Sequence, residues 1–432
     1  MSDISEASIT EKMLVKQLTS VETSKISYSG EIVQPEVNPV LVTPGAYSPK
    51  WFRLRHKAYW LLQGMPLECM ENALTAVSMS TNRRSRDNLL DTVEIYGEGN
   101  WCYEFAHQGI SLVNRARELT REGELTPEKT AEAVKLQNAA MVCFSIASYP
   151  HLKGDKNADK AQTIAIQCYR DMLTLAGVRF KELSIPCSAG GKAPIKAWLH
   201  LPRTDQPVPM IIAAGSYETL FSDFFLLYTE CLAPHGIAML TLDNPRCGQN
   251  QSFALDYDCS VLHRETLDYI VEHEPLVDST RIGALGFRFG GNIVSRMCFM
   301  RSKLIKAAIC LGPAIHRCFV DDEVLDGLPA VMKASLANRI DRDAAEWNSI
   351  KPILSQFSLK VQGLLGTGTE VPIAAVGIEG DPICDRSDLK LLSGSSAKGM
   401  LLEIKKKKLV DATGGFYEMI LDWFGKHMDL KS

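Results

Sequence analysis

At 432 residues, with 46% apolar and 23% charged residues, the chain has the composition of a globular protein long enough for two domains. A formal net charge of -4 argues against a nucleic-acid partner and against a basic membrane face. The 12 cysteines fall without Cys-x-x-Cys pairs or Cys/His metal spacing, so no metal and no cofactor is expected.

The first residues, Met1-Ser2-Asp3-Ile4-Ser5-Glu6, lack the basic start and apolar core of a secretory signal, and no apolar run approaches the ~18 residues of a membrane span. The expectation is a reduced, cytoplasmic, soluble protein. Residues 1–45 are rich in Ser, Thr, Glu, Val and Pro without periodicity, and read as a mobile arm. Over residues 46–177 apolar side chains recur three and four apart, in the stretches 65–79, 101–119 and 126–147, which predicts an all-helical domain. Thr126-Pro127-Glu128-Lys129 is a helix start, with a capping threonine and proline at the first helical position.

The pattern changes near Val178. Two strands, 180–187 and 193–201, are predicted to join at a hairpin through Ala189-Gly190-Gly191-Lys192. Strand-length apolar runs then alternate with helical ones, at 208–214, 237–242, 282–286, 307–311, 371–377 and 400–404. That alternation indicates a mainly parallel sheet with helices on both faces, an α/β domain over residues 178–432. The helical spacing of residues 313–365 is too long for a simple crossover and reads as an insertion over the sheet's C-terminal edge.

In such sheets the ligand site lies beyond the carboxyl ends of the strands. The residues there are Gly215-Ser216-Tyr217-Glu218, then Asp243-Asn244-Pro245-Arg246-Cys247-Gly248, then Gly312 to His316, and then Glu379-Gly380-Asp381. After the central run comes Gly286-Phe287-Arg288-Phe289-Gly290, where a strand passes through a tight turn into a helix. This is the geometry of a nucleophile elbow, whose usual sequence is Gly-x-Ser-x-Gly. Here the projecting residue is Arg288, and a protonated guanidinium has no lone pair with which to attack.

The chain resembles the fermentation–respiration switch (FrsA) family of the α/β-hydrolase superfamily. The resemblance rests on Gly99-Asn100-Trp101 with Tyr103-Glu104, on Tyr149-Pro150-His151-Leu152-Lys153-Gly154-Asp155, and on Gly236-Ile237-Ala238-Met239-Leu240-Thr241. It extends to the arginine elbow, to Leu311-Gly312-Pro313 with His316, and to Ser358-Leu359-Lys360-Val361-Gln362-Gly363-Leu364-Leu365-Gly366. The resemblance implies an α/β-hydrolase fold and carboxylic-ester hydrolysis. It also implies two alternatives: a cofactor-independent decarboxylase acting on a small 2-oxo acid, or a catalytically silent metabolite-binding regulator of carbon metabolism. A glucose phosphotransferase phosphocarrier is the protein partner it suggests. Arginine at the elbow is a feature of the family, whereas its usual acid after the third strand is aspartate and this chain has Glu218.

Four residues are therefore expected at the site. Arg288 would hold a carboxylate or developing oxyanion, the alternative being a structural ion pair. Glu218 would pair with Arg288 or move a proton, or else be a surface glutamate. Asp381 sits where this fold places its triad acid, but no histidine follows the last strand except His427, expected to be exposed on the final helix. His316, beyond a strand end and a Gly-Pro turn, is the remaining general-base candidate. Ser216 is the one serine directly beyond a strand at this edge, and no base is evident for it.

Overall fold

The computed structural model describes residues 50–121, 125–188, 193–405 and 412–430. The expected arm, the hairpin turn and the segment after the last strand lie outside the described residues. The chain divides into two units, one holding the residues up to Val178 with Pro329–Asn338 and Asp343–Ala345, the other the remainder.

The first unit is helical: α1 (Lys57–Leu62), α2 (Leu67–Met79), α3 (Trp101–Arg121), α4 (Pro127–Ser148) and α5 (Lys156–Leu175). The C-terminal half of α4 is buried all round, as a central helix must be. Aromatic side chains fill the adjoining space. Trp101 is fully buried against Phe105 at 4.5 Å, and its indole N–H donates to the Ile146 carbonyl at 2.8 Å. The segment before α1 is fixed by Asp91, whose carboxylate accepts from the backbone N–H groups of Phe52 and Arg53, both at 2.8 Å. The same carboxylate faces the buried Arg53 guanidinium. At the start of α4 the Thr126 hydroxyl accepts from Lys129 N at 3.3 Å, the cap its sequence predicts. Thr126→Ala should therefore cost about 1 kcal/mol in the thermal unfolding of this unit. An unchanged melting curve would mean the hydroxyl contributes nothing.

The second unit is an eight-stranded sheet in the order β1-β2-β4-β3-β5-β6-β7-β8. Its strands are β1 (Arg179–Ile185), β2 (Ile195–Leu201), β3 (Val208–Ala214), β4 (Ala238–Thr241), β5 (Val277–Phe287), β6 (Ile305–Leu311), β7 (Ile373–Ile378) and β8 (Met400–Ile404). β2 runs antiparallel to both β1 and β4, and all other neighbours are parallel. β3 and β4 are buried at every position, so both read as continuous apolar runs. The helices are α6 (Val261–His273), α7 (Phe289–Met300), α8 (Arg317–Val320), α9 (Asp322–Asp326), α10 (Ala330–Arg339), α11 (Trp347–Leu354), α12 (Arg386–Gly394) and α13 (Ala412–Met428). Of these, α10 up to Asn338 counts with the helical unit.

β5 begins five residues before the apolar run, because Asp278 to Arg281 are polar and carry no strand signal. His427 also departs from expectation. It is half-buried, its ring edge-on to Trp423 at 4.5 Å, because α13 turns that side toward the sheet rather than to water. Among the described residues no helix is long and apolar enough to cross a membrane.

Candidate functional site

The elbow forms where β5 hands over to α7. Arg288 sits there at φ 54° and ψ -114°, a conformation that L-residues rarely adopt and that persists only where the surroundings enforce it. Three backbone bonds do so: Arg288 N–H donates to the Leu311 carbonyl at 2.9 Å, and the Arg288 carbonyl accepts from Gly291 N (2.9 Å) and Ala314 N (3.0 Å). The flanking glycines are required by space. A Cβ on Gly290 would lie 2.0 Å from the Ala214 carbonyl oxygen, and one on Gly286 2.5 Å from the Gly290 carbonyl oxygen.

Packing and polar groups lock α7 beneath the elbow. Phe289 meets Tyr217, Phe357 and Phe319 at 5.9, 6.0 and 6.2 Å between ring centroids. The Asn292 amide donates to the carbonyls of Ala314 (2.9 Å) and Phe357 (3.0 Å), and its oxygen accepts from Arg296 Nε at 2.9 Å. A buried polar network satisfied in this way fixes one geometry.

Arg288 pairs with Asp381, and among the described residues this is its one ion pair. The Asp381 carboxylate is nearly buried, and its other oxygen accepts from Ile383 N (2.9 Å) and Cys384 N (3.3 Å). The Arg288 side chain stays 36% exposed.

Glu218 is elsewhere. It is buried in the turn after β3, beside Cys247 and Arg339 rather than in the Arg288 pair. Arg339 Nε donates to the Tyr217 carbonyl at 3.0 Å, and its Nη2 lies 3.6 Å from the Cys247 sulfur. Burial pushes the Cys247 thiol up to about 12, with Arg339 opposing and the carboxylates of Asp243, Asp223 and Glu218 reinforcing the shift. The thiol therefore stays protonated at neutral pH.

His316 follows β6, and its Nδ1 lies 2.8 Å from the Ser358 hydroxyl, which also accepts from Val361 N at 3.1 Å. Partial burial and the neighbouring Lys360 lower its pKa, with Asp385 opposing. The imidazole is thus neutral at pH 7 and available as a base. Ser216 is half-buried, and its backbone N–H donates to Thr219 Oγ1 at 3.1 Å. No base contacts its hydroxyl among the described residues.

The structure thus joins Arg288 to Asp381, places His316 two residues beyond Ala314, whose N–H donates to the Arg288 carbonyl, and leaves Glu218 in a separate cluster beside Cys247. Three supporting residues had no role assigned from the sequence, although Asp243 and Asn244 stand among its strand-end residues. Asp243 accepts from Phe221 N and Gln249 N, both at 2.8 Å, and Asn244 donates to the carbonyls of Gly215 (3.0 Å) and Ser216 (2.9 Å). Together they tie the β3 turn to the β4 turn; a polar pair directly after an apolar strand was the available signal. Arg339 had none, since it ends a helix of the insertion.

Residues 4–429 match the family described as FrsA-like, "Esterase FrsA-like". Esterase FrsA of Photobacterium profundum is 34% identical over 425 residues, covering 98% of this chain and 99% of that protein. Esterase FrsA of Escherichia coli O1:K1 / APEC is 32% identical over 428 residues, covering 98% and 100%. Among solved structures, 2,6-dihydroxy-pseudo-oxynicotine hydrolase matches with a TM-score of 0.64 at 16% identity, over 86% of this chain and 95% of that one. AbyA5 matches with a TM-score of 0.58 at 19% identity, over 76% and 89%. At such identities the structural likeness speaks for the fold alone.

Proposed function

This chain belongs to the FrsA-like esterase family, and on that premise we propose that it hydrolyses a carboxylic ester without a covalent enzyme intermediate. The observation that carries the reading is the strained elbow, which presents an arginine ion-paired to Asp381 where this fold otherwise presents its nucleophile. Water must then supply the attacking oxygen.

In this reading water adds to the ester carbonyl carbon and its proton passes to the neutral imidazole of His316. The Arg288 guanidinium receives the charge developing on the carbonyl oxygen, and Asp381 fixes the direction of the fork. Collapse of the tetrahedral intermediate breaks the carbon–oxygen bond to the alcohol, which takes the proton back from His316. Ser358 holds the other ring nitrogen and so keeps one edge of the imidazole free for this exchange. The decarboxylase reading is the weaker one, because it gives the proton transfer to Glu218, which is buried in the turn after β3 beside Cys247.

Chromogenic short-chain esters offered together with a fluorophosphonate probe test the proposal. Turnover is expected with the protein mass unchanged. Its rate should rise with pH through a single ionisation below about 6.5, the ordinary histidine value, because the His316 shift is downward. A stoichiometric adduct on Ser216 or another serine would replace water attack with acyl-enzyme chemistry. Neither turnover nor labelling would favour a metabolite-binding regulator.

A further inference from the structure

Beside His316 the sheet's carboxyl edge holds a groove of about 800 Å³, lined among others by His316, Arg317, Lys360, Asp385, Ser387 and Lys390. Its walls come from the turns after β6 and β7, the start of α12 and the turn that follows Ser358. We propose that this groove binds the phosphoryl group of a small metabolite. The inference does not depend on His316 acting as a base.

Three cations line the groove, Arg317, Lys360 and Lys390, against two carboxylates, Asp321 and Asp385. Both carboxylates are committed to the same arginine: Arg317 Nε contacts Asp321 at 2.9 Å and its Nη1 contacts Asp385 at 3.2 Å. Lys360 and Lys390 are exposed and have no acidic partner among the described residues. The lining residues thus carry one net positive charge, and the two cations without a carboxylate partner are ammonium groups; a third carboxylate, Asp388, lies buried behind the wall and accepts from Arg317 N at 3.1 Å. After burial, Lys360 is the next cause lowering the His316 pKa, with Asp385 opposing, so the imidazole senses charges of this groove.

The kind of cation selects the kind of anion. A planar carboxylate is best held by a guanidinium fork, and the Nε and Nη1 of Arg317 already donate to Asp321 and Asp385. Ammonium groups act as point charges with rotatable donors, which suits a tetrahedral, multiply charged oxyanion. Ser387, at the start of α12, donates its hydroxyl to Asp385 Oδ1 at 2.7 Å and so helps hold that carboxylate beside Arg317.

The test titrates inorganic phosphate, glycerol phosphate and succinate into the full-length protein at constant ionic strength, following histidine imidazole resonances by NMR. His316→Gln identifies the signal. Both phosphates are expected to shift the His316 resonance saturably, and succinate at least about fivefold more weakly. The double variant Lys360→Gln/Lys390→Gln should lose about tenfold or more in phosphate affinity. Its melting temperature should be unchanged, since both side chains are exposed. An absent or non-saturable shift, equal binding of succinate, or undiminished phosphate binding by the double variant would each overturn the proposal.

Discussion

Gly290→Ala is expected to destabilise the sheet unit by about 3 kcal/mol or more, lowering its melting temperature by roughly 6–12 °C. The added methyl would sit 2.0 Å from the Ala214 carbonyl oxygen, 2.4 Å from the Ala214 carbonyl carbon and 2.8 Å from the Gly215 oxygen. All three are backbone atoms at the end of β3, a strand buried at every position and paired on both sides. A flexible side chain could swing away, but this backbone cannot. The clash must instead push α7 off the sheet, breaking the Asn292 and Phe289 contacts that hold the elbow. Gly425→Ala is the matched control. That glycine lies within α13 and an added methyl meets nothing within 4 Å, so the change should be neutral or stabilising by up to about 1 kcal/mol. Calorimetric melting of both variants decides the matter. If Gly290→Ala melts within a degree of the parent protein, close approach is not the reason for the glycine.

Arg288→Lys is expected to lower kcat/KM for ester hydrolysis by about 10²–10³-fold while costing only about 1 kcal/mol of stability. Lysine keeps a positive charge for the nearly buried Asp381 carboxylate, which also retains its bonds from Ile383 N and Cys384 N. What is lost is the fork, which lets one guanidinium hold Asp381 and still present an N–H to an oxyanion. Arg288→Ala should lose the same activity and a further 1–3 kcal/mol, roughly, because it leaves a buried carboxylate without its cation. Steady-state kinetics and thermal melts on the two variants separate the roles. Should Arg288→Lys retain full turnover and merely melt lower, the arginine is a structural tie and the oxyanion assignment is wrong.

Much of the sheet was legible in the sequence because a buried strand writes itself as a short apolar run. β3 and β8 fall at the predicted residues, and the remaining strands are displaced by only a few positions, most at the N-terminus of β5. The elbow was legible for a different reason: the two glycines of Gly286-Phe287-Arg288-Phe289-Gly290 are forced by backbone approach, and no other residue fits there. From the same pentapeptide the sequence determined that no serine projects from the turn. The Thr126 cap was equally local, a hydroxyl three residues from the N–H it accepts.

The tertiary structure alone decided which carboxylate meets Arg288. Asp381 and Glu218 both follow strand ends at one edge, and local pattern ranks neither above the other. The choice came from placing β6 and β7 on one side of β5 and β3 on the other, together with the tight turn that aims Asp381 by two backbone N–H groups. The Ser358–His316 contact likewise joins residues from opposite ends of the helical insertion. Arg339 reaches the Tyr217 carbonyl across 122 residues of chain. Side-chain periodicity reports which face of an element is buried, and turn chemistry reports where it ends. Neither encodes the distance between two loops, which is set by the order of strands and the lengths of the segments between them.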